Sequence, residues 1–456
     1  MRRTTWPALG LALATALATA IAAPPSSAAD KTPAIERFGR GPAYDALAAL
    51  AVQHEGRVKP LDTLAREELK QIYGRERIKF VDDEGETVAT WEPVAAVLDW
   101  SARPEFWDNQ PILKVEYLPL KRVLLSGAIK ETLSGIAAKP ALSGSDREAI
   151  EKVVALEEVG DAELAGLLRS KTLPEADAKA IARLHTKLGA ANKWLTANEL
   201  AEARPRVDGR PTTFAEWATS LEERMGETRR TTGNDLVLSD LDQAAYEAAV
   251  TLSRYRQLRD LEYRGSLPIR LLPRPSNGEH VRYTAEQFEG IQSGKVTQEN
   301  ITPLQGDVLN LLVSKYKESL QSKEWKVLFS NAESNDRYSS WLANSAPWMP
   351  VAILLKSDES ELTKAGFPSS ALAEFRSAWK RFEDAERSSP GHVDEAAANA
   401  VVSATRALGT ALNAASYPTP KAMAREVHFN AFGPFWWAPF AYGFGALLLA
   451  LSLTVQ

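Results

Sequence analysis

The sequence predicts a mainly α protein: a helical exported domain with a few short β-strands, followed by a C-terminal transmembrane helix. Three observations carry this expectation. Apolar residues recur at helical spacing through most of the chain, an apolar run follows two arginines at the N-terminus, and a charge-free apolar segment closes the other end.

At the N-terminus, Arg2 and Arg3 precede an apolar run from Leu9 to Ala23, and small residues end at Ala29. That pattern reads as a signal peptide over residues 1–29, cleaved after Ala29. The run is short and alanine-rich for a membrane span, and an uncleaved anchor is the alternative.

Residues 30–125 form a motif-bearing α+β module. Within it, Leu61, Leu64, Leu69 and Ile72 share one face of a helix that opens at Pro60 and ends near Gly74. The segment RIKFVDDEGETVAT alternates around an Asp-Glu-Gly turn and predicts a hairpin. Trp91, Trp100 and Trp107 then punctuate a helix and a proline-broken turn, ahead of a strand over 112–117.

A helical module follows over 126–265. Gly160, Pro174 and Gly189 divide its first part into short helices, and SGSD at 143–146 reads as a turn and N-cap. Residues 146–178 carry nine acids against four bases, the pattern of a solvated face. Leu241, Ala245, Ala248, Leu252 and Tyr255 step 4-3-4-3, a helix seam that packs on something. The mainly helical membrane-proximal module, 266–430, holds a proline-closed strand in LPIRLLPRP at 267–275. Helices follow over about 303–321, 369–387 and 393–415.

The last segment, 435–455, carries no charge and would reach roughly 31 Å at 1.5 Å per residue, one bilayer core. It opens on Phe435, Trp436 and Trp437 where an aromatic belt belongs, with Pro439 in its first turns. The chain ends at Gln456 without a polar or basic tail, so it reads as the front of a larger membrane protein or one half of a split one. The bulk of the chain is then expected on the extracytoplasmic side, held by a single span.

Composition narrows the function. The 456 residues carry 54 basic against 59 acidic side chains, a net charge of -5, which implies neither nucleic acid nor an anionic lipid surface as partner. With no cysteine there is no disulfide, zinc-thiolate site or C-x-x-C-H haem attachment. The five histidines, His54, His185, His280, His392 and His428, form no metal-ligand spacing, and nucleophile-elbow, dinucleotide and P-loop patterns are absent. No catalytic residue stands out, and the chain is expected to be no enzyme by itself.

One stretch is denser than its surroundings: AVQHEGRVKPLDTLAREELK, residues 51–70. On one reading it is a tight turn, with Gly56 permissive, Arg57 and Lys59 outside, Pro60 starting a helix and Asp62 at the positive end of its dipole. On the other, Arg57 and Lys59 beside His54 present an anion-binding surface or a contact for a partner.

This stretch resembles the start of the exported region in large fused members of the system II cytochrome c biogenesis family, whose membrane part is a CcsA-like (ResC-like) haem-handling protein. The pattern Q-x-x-G-R-x-K-P-x-x-T-x-A-x-E is matched by Gln53, Gly56, Arg57, Lys59, Pro60, Thr63, Ala65 and Glu67. Looser similarities follow in RPEFWDNQPILKV at 103–115 and LPIRLLP at 267–273. The junction EVHFNAFGPFWW resembles the family's entry into its first membrane helix, through Glu426, Asn430, Pro434 and Phe435, with Trp436 and Trp437 behind them. Residues 126–260 carry no resemblance.

The resemblance implies an accessory domain of the haem delivery and ligation machinery. Its implied partners are a CcsA-like multispan protein, a ResB-like protein and apocytochrome c, with haem present only in the assembled complex. The family's tryptophan-rich W-W-D segment is not in this chain, so no haem ligand can be carried over. His54 and His428, the histidines nearest the motifs, are the haem candidates that remain. The alternative is an envelope scaffold or binding protein unrelated to cytochromes.

Overall fold

The computed structural model describes residues 35–82, 85–207, 209–261, 269–275, 301–315 and 348–454. Helix accounts for 64% and strand for 10% of it, in eighteen helices and a few short strands. The signal segment at 1–29, His280, and the helix predicted beyond Lys315 lie outside the described residues.

The chain begins with β1 (Glu36–Phe38), α1 (Pro42–Ala48), β2 (Ala51–His54) and β3 (Arg57–Pro60). Next come α2 (Leu61–Ile72), β4 (Ile78–Val81), β5 (Thr87–Trp91), α3 (Pro93–Ala102) and α4 (Pro104–Trp107). Leu61, Leu64, Leu69 and Ile72 are all buried, as their spacing requires, and Pro60 caps α2. The expected hairpin is β4–β5, antiparallel with Ile78 opposite Trp91, and β1 extends that sheet in parallel. The tryptophans of this stretch meet edge-on in the core: Trp107 lies 5.1 Å from Trp91 and 6.3 Å from Trp100, which in turn packs on Tyr255.

The strand expected over 112–117 is only β6 (Leu113–Lys114), paired with β7 (Trp194–Leu195). Between them lie α5 (Leu118–Ala137), α6 (Gly144–Val154), α7 (Asp161–Leu167) and α8 (Glu175–Leu188), broken at the glycines and proline that the sequence marks. Ser143 caps α6 by accepting the Asp146 N–H at 3.1 Å. After α9 (Ala197–Glu202) and the small β8–β9 hairpin (Arg206–Val207, Arg210–Pro211) come α10 (Phe214–Thr232) and α11 (Asp240–Arg259). Ala245, Ala248, Leu252 and Tyr255 of α11 are buried against α2 and α3.

The remaining elements are β10 (Arg270–Leu272), α12 (Pro303–Lys315), β11 (Met349–Pro350), α13 (Val351–Lys356), α14 (Glu359–Lys364), α15 (Ser369–Ser388) and α16 (Glu395–Asn413). Two more helices, α17 (Pro420–Phe432) and α18 (Pro434–Thr454), end the chain. One sheet has the order β11-β10-β2-β3, so the N-terminal hairpin completes itself with strands from the middle and the last third. One buried apolar cluster runs from Ala43 to Leu412, and α1 packs on α16 within it.

Helix α18 stands apart from that core. Its apolar side chains project outward, with Phe440 60%, Tyr442 79% and Leu449 64% exposed. Among the described residues no single helix is long and apolar enough to cross a membrane; Pro420–Phe432 and Trp437–Leu453 pass that test only as a pair bent by 65°.

Candidate functional site

The dense stretch at 51–70 folds as a β-hairpin running into a helix, where the tight-turn reading has no strands. Residues 51–54 pair with 57–60, Val52 opposite Lys59 and His54 opposite Arg57. The two turn residues, Glu55 and Gly56, have φ of 50° and 76°, the left-handed pair that a two-residue hairpin turn demands. Glycine takes this geometry freely, whereas Glu55 is held in it by the register on both sides.

The strand alternation sorts the motif onto two faces. Val52, His54, Arg57 and Lys59 share one, turned toward α2. Ala51 and Val58, on the other, pack with Trp348, Met423 and Tyr417, and Gln53 accepts the Trp348 N–H at 2.7 Å.

Lys59 corrects the expectation that it sits outside: it is 4% exposed, and its ammonium pairs with the Glu67 carboxylate. The pleat drives it inward and Glu67 compensates the charge. Arg57 remains on the surface, 62% exposed along its side chain.

Arg57 joins the second motif. Its Nη2 donates to Glu426 Oε1 at 2.7 Å, and the Thr63 hydroxyl donates to the same oxygen at 2.9 Å. Asn430, one turn along α17, donates to Thr63 Oγ1 at 2.8 Å and to Asp62 Oδ2 at 3.1 Å. Glu426 and Asn430 are i and i+4, hence on one helix face, and α17 lays that face on β3 and the first turn of α2. Behind them, Arg66 clamps Asp62 at 2.9 Å and reaches Glu76 at 2.7 Å, and Lys70 pairs with Glu76. Ala65 is fully buried beneath this network.

His54 occupies the inner side of the hairpin. Its side chain is 6% exposed, and neither ring nitrogen has a hydrogen-bond partner; Nε2 stands 3.8 Å from Glu68 Oε1. Burial lowers its pKa, so the ring is held neutral. Burial raises that of Glu68, against the opposing pull of Arg254. His428 is exposed on α17. Among the described residues, no group of three or more His, Cys, Asp or Glu is placed to hold a metal ion.

Two clefts are lined by residues outside 51–70. A polar groove of about 600 Å³ runs between α11 and the β6 region, with Arg254, Glu247, Lys114 and Glu116 on its walls. An aromatic cleft of about 460 Å³ is floored by the Phe38–Trp91 stack, ring centroids 4.4 Å apart, with Arg103 and Phe106 at its edge.

The structure thus joins Arg57 and Thr63 to Glu426 and Asn430, while Gln53, Gly56, Lys59, Pro60 and Glu67 shape the hairpin that presents them. The side chains of Pro434, Phe435 and Trp436 lie outside the described residues, and Trp437 is 52% exposed beyond the bend. Asp62, Arg66, Glu68, Glu76 and Arg254 are partners that sequence reading missed as a group. Only the i, i+4 spacing of Asp62 and Arg66 gave a local signal. Compared with family models, curated proteins and solved structures, the chain finds no match.

Proposed function

We propose that this chain is a membrane-anchored, exported accessory domain of the system II cytochrome c maturation machinery, noncatalytic alone. In this reading α18 crosses the membrane and the ectodomain lies on the extracytoplasmic side. There it docks a CcsA-like haem-handling partner, with its ResB-like companion, or the apocytochrome. Haem belongs to the assembled complex.

The observation that supports the reading is the meeting of the two motifs. They are more than 350 residues apart in sequence, yet Arg57 and Thr63 share the Glu426 carboxylate and Asn430 bridges Thr63 and Asp62. Four of the residues that carry the resemblance, Arg57, Thr63, Glu426 and Asn430, therefore form one latch, which sets the ectodomain's angle to the helix leading to α18. A domain that positions a substrate over a membrane-embedded site needs such a fixed angle; a freely tethered domain does not.

The test is haem staining of membrane c-type cytochromes in a strain lacking this gene and complemented with variants. Loss of covalent haem on deletion, loss again with Arg57→Glu or Glu426→Arg at normal protein level, and recovery in the double charge swap are expected. Normal staining in the deletion strain would refute the proposal and leave an envelope scaffold unrelated to cytochromes.

A further inference from the structure

Helix α11 turns a polar stripe toward the groove between it and β6. At about 100° per residue, Gln243, Glu247, Thr251 and Arg254 fall within about 80° of one another, and all four line the cavity of about 600 Å³. Ala244 and Ala248 lie beside the stripe, and their small side chains leave the groove open where larger ones would close it against Val115 and Leu120.

The charges of the stripe are set apart. Glu247 and Arg254 are seven residues apart, about 10 Å along the axis and on nearly the same bearing. Arg254 is anchored from behind: its Nη1 lies 3.2 and 3.4 Å from the two carboxylate oxygens of Glu68, which is 2% exposed. That ion pair leaves the edge formed by Nε and Nη2 without a hydrogen-bond partner among the described residues, while the side chain is 28% exposed. Two N–H groups on this edge point the same way, the geometry that holds a carboxylate through parallel hydrogen bonds. Glu247 accepts Gln243 Nε2 at 2.8 Å and forms no ion pair among the described residues. The remaining charges on the walls are already matched, since Glu116 lies 2.8 Å from both Lys114 and Lys193.

We propose that this groove binds a short peptide with free termini, its C-terminal carboxylate on the open edge of Arg254 and its ammonium group at Glu247. An extended tripeptide spans about 10 Å, the separation of the two anchors along the helix. A second carboxylate at the far end would meet Glu247, so the site selects a zwitterion over a dicarboxylate. Val115, Leu120 and Ala248 give the walls an apolar share that suits small side chains. The site shares no residue with the Arg57–Glu426 latch, so it stands or falls apart from the maturation role.

The test titrates the full-length protein, in neutral detergent, with trialanine and follows its backbone amide shifts. Shifts confined to 113–120 and 243–254 are expected. Trialanine amide, which lacks the carboxylate, should bind about ten-fold more weakly, the loss of one charge-assisted hydrogen bond. N-acetyl-trialanine, which lacks the ammonium group, should lose only about two- to five-fold, because Glu247 is exposed to solvent. Arg254→Lys keeps a cation for Glu68 but has no fork, and should weaken trialanine about ten-fold at an unchanged melting temperature. Ala244→Leu fills the groove without touching the Arg254–Glu68 pair and should weaken binding to a similar degree.

Equal affinity for trialanine and its amide, unaltered binding in either variant, shifts centred outside the groove, or no shift at all would overturn the proposal. An acetylated peptide bound as tightly as the free one would overturn the contact at Glu247 and with it the selection of a zwitterion.

Discussion

Glu386 has no exposure to solvent, and both its carboxylate oxygens are used: Tyr44 donates to one at 2.7 Å and the Gly391 N–H to the other at 2.8 Å. Burial pushes its carboxyl up to about 7, and the Asp99 carboxylate adds to the shift. A carboxyl raised in this way holds its proton in the folded state at pH values where the unfolded chain has already released it. Stability therefore falls as pH rises from about 4.5 to about 7, by up to roughly 3 kcal/mol, and is level above that. Glu386→Gln keeps the shape and an acceptor for Gly391 while removing the titration. Denaturant unfolding across pH should show the variant losing this slope, near wild type at pH 4.5 and the more stable protein at pH 8. Parallel profiles for the two proteins would refute the assignment.

At the scale of elements, α17 is held by few bonds and little core, since Met423 is its one buried residue. Asn430→Ala removes both donors to Thr63 and Asp62, and should speed amide hydrogen exchange over 420–432 on the order of ten-fold, from about 1 to 1.5 kcal/mol of lost hydrogen bonding. Exchange in α6, far from the latch, should be unchanged; equal acceleration in both would mean general destabilisation instead. The helices themselves were largely legible in the sequence, because 3.6-residue periodicity is local: α2, α11, α15 and α16 stand where the apolar spacing puts them. Helix α10 carries its signal at its start, where Thr213 and Glu216 spell a capping box, formed as Thr213 accepts the Glu216 N–H at 3.0 Å. The β2–β3 hairpin shows in the sequence only as a turn, because Glu-Gly is a weaker hairpin signal than Asn-Gly. Its alternation is also masked, since Val52, His54, Lys59 and Pro60 are all buried by neighbours on both faces. Contacts such as Arg57 to Glu426 leave no local trace, so nothing in the spacing of either segment could have announced them.

For the whole molecule, the order of burial along the chain decides what can fold alone. Strand β2 sits inside a sheet whose other inner strand, β10, lies at 270–272, and β10 in turn pairs with β11 at 349–350. Helix α1 rests on α16, and Phe38 stacks on Trp91 while meeting His392 at 5.1 Å. Cutting the chain after residue 125 would expose the inner edge of the hairpin and the side of α1 that rests on α16, and would remove Glu386, the hydrogen-bond partner of Tyr44. An unpaired inner strand and an uncovered core of that kind do not support a stable domain. A segment covering 35–125 alone is therefore expected to lack a cooperative thermal transition and to show unfolded amide chemical shifts. The piece from 35 to 433, which retains every contact in the shared core, should melt in one transition. A cooperative melt from the short segment would mean that the motif-bearing region is a domain in its own right, and the latch to Glu426 would then join two bodies rather than brace one.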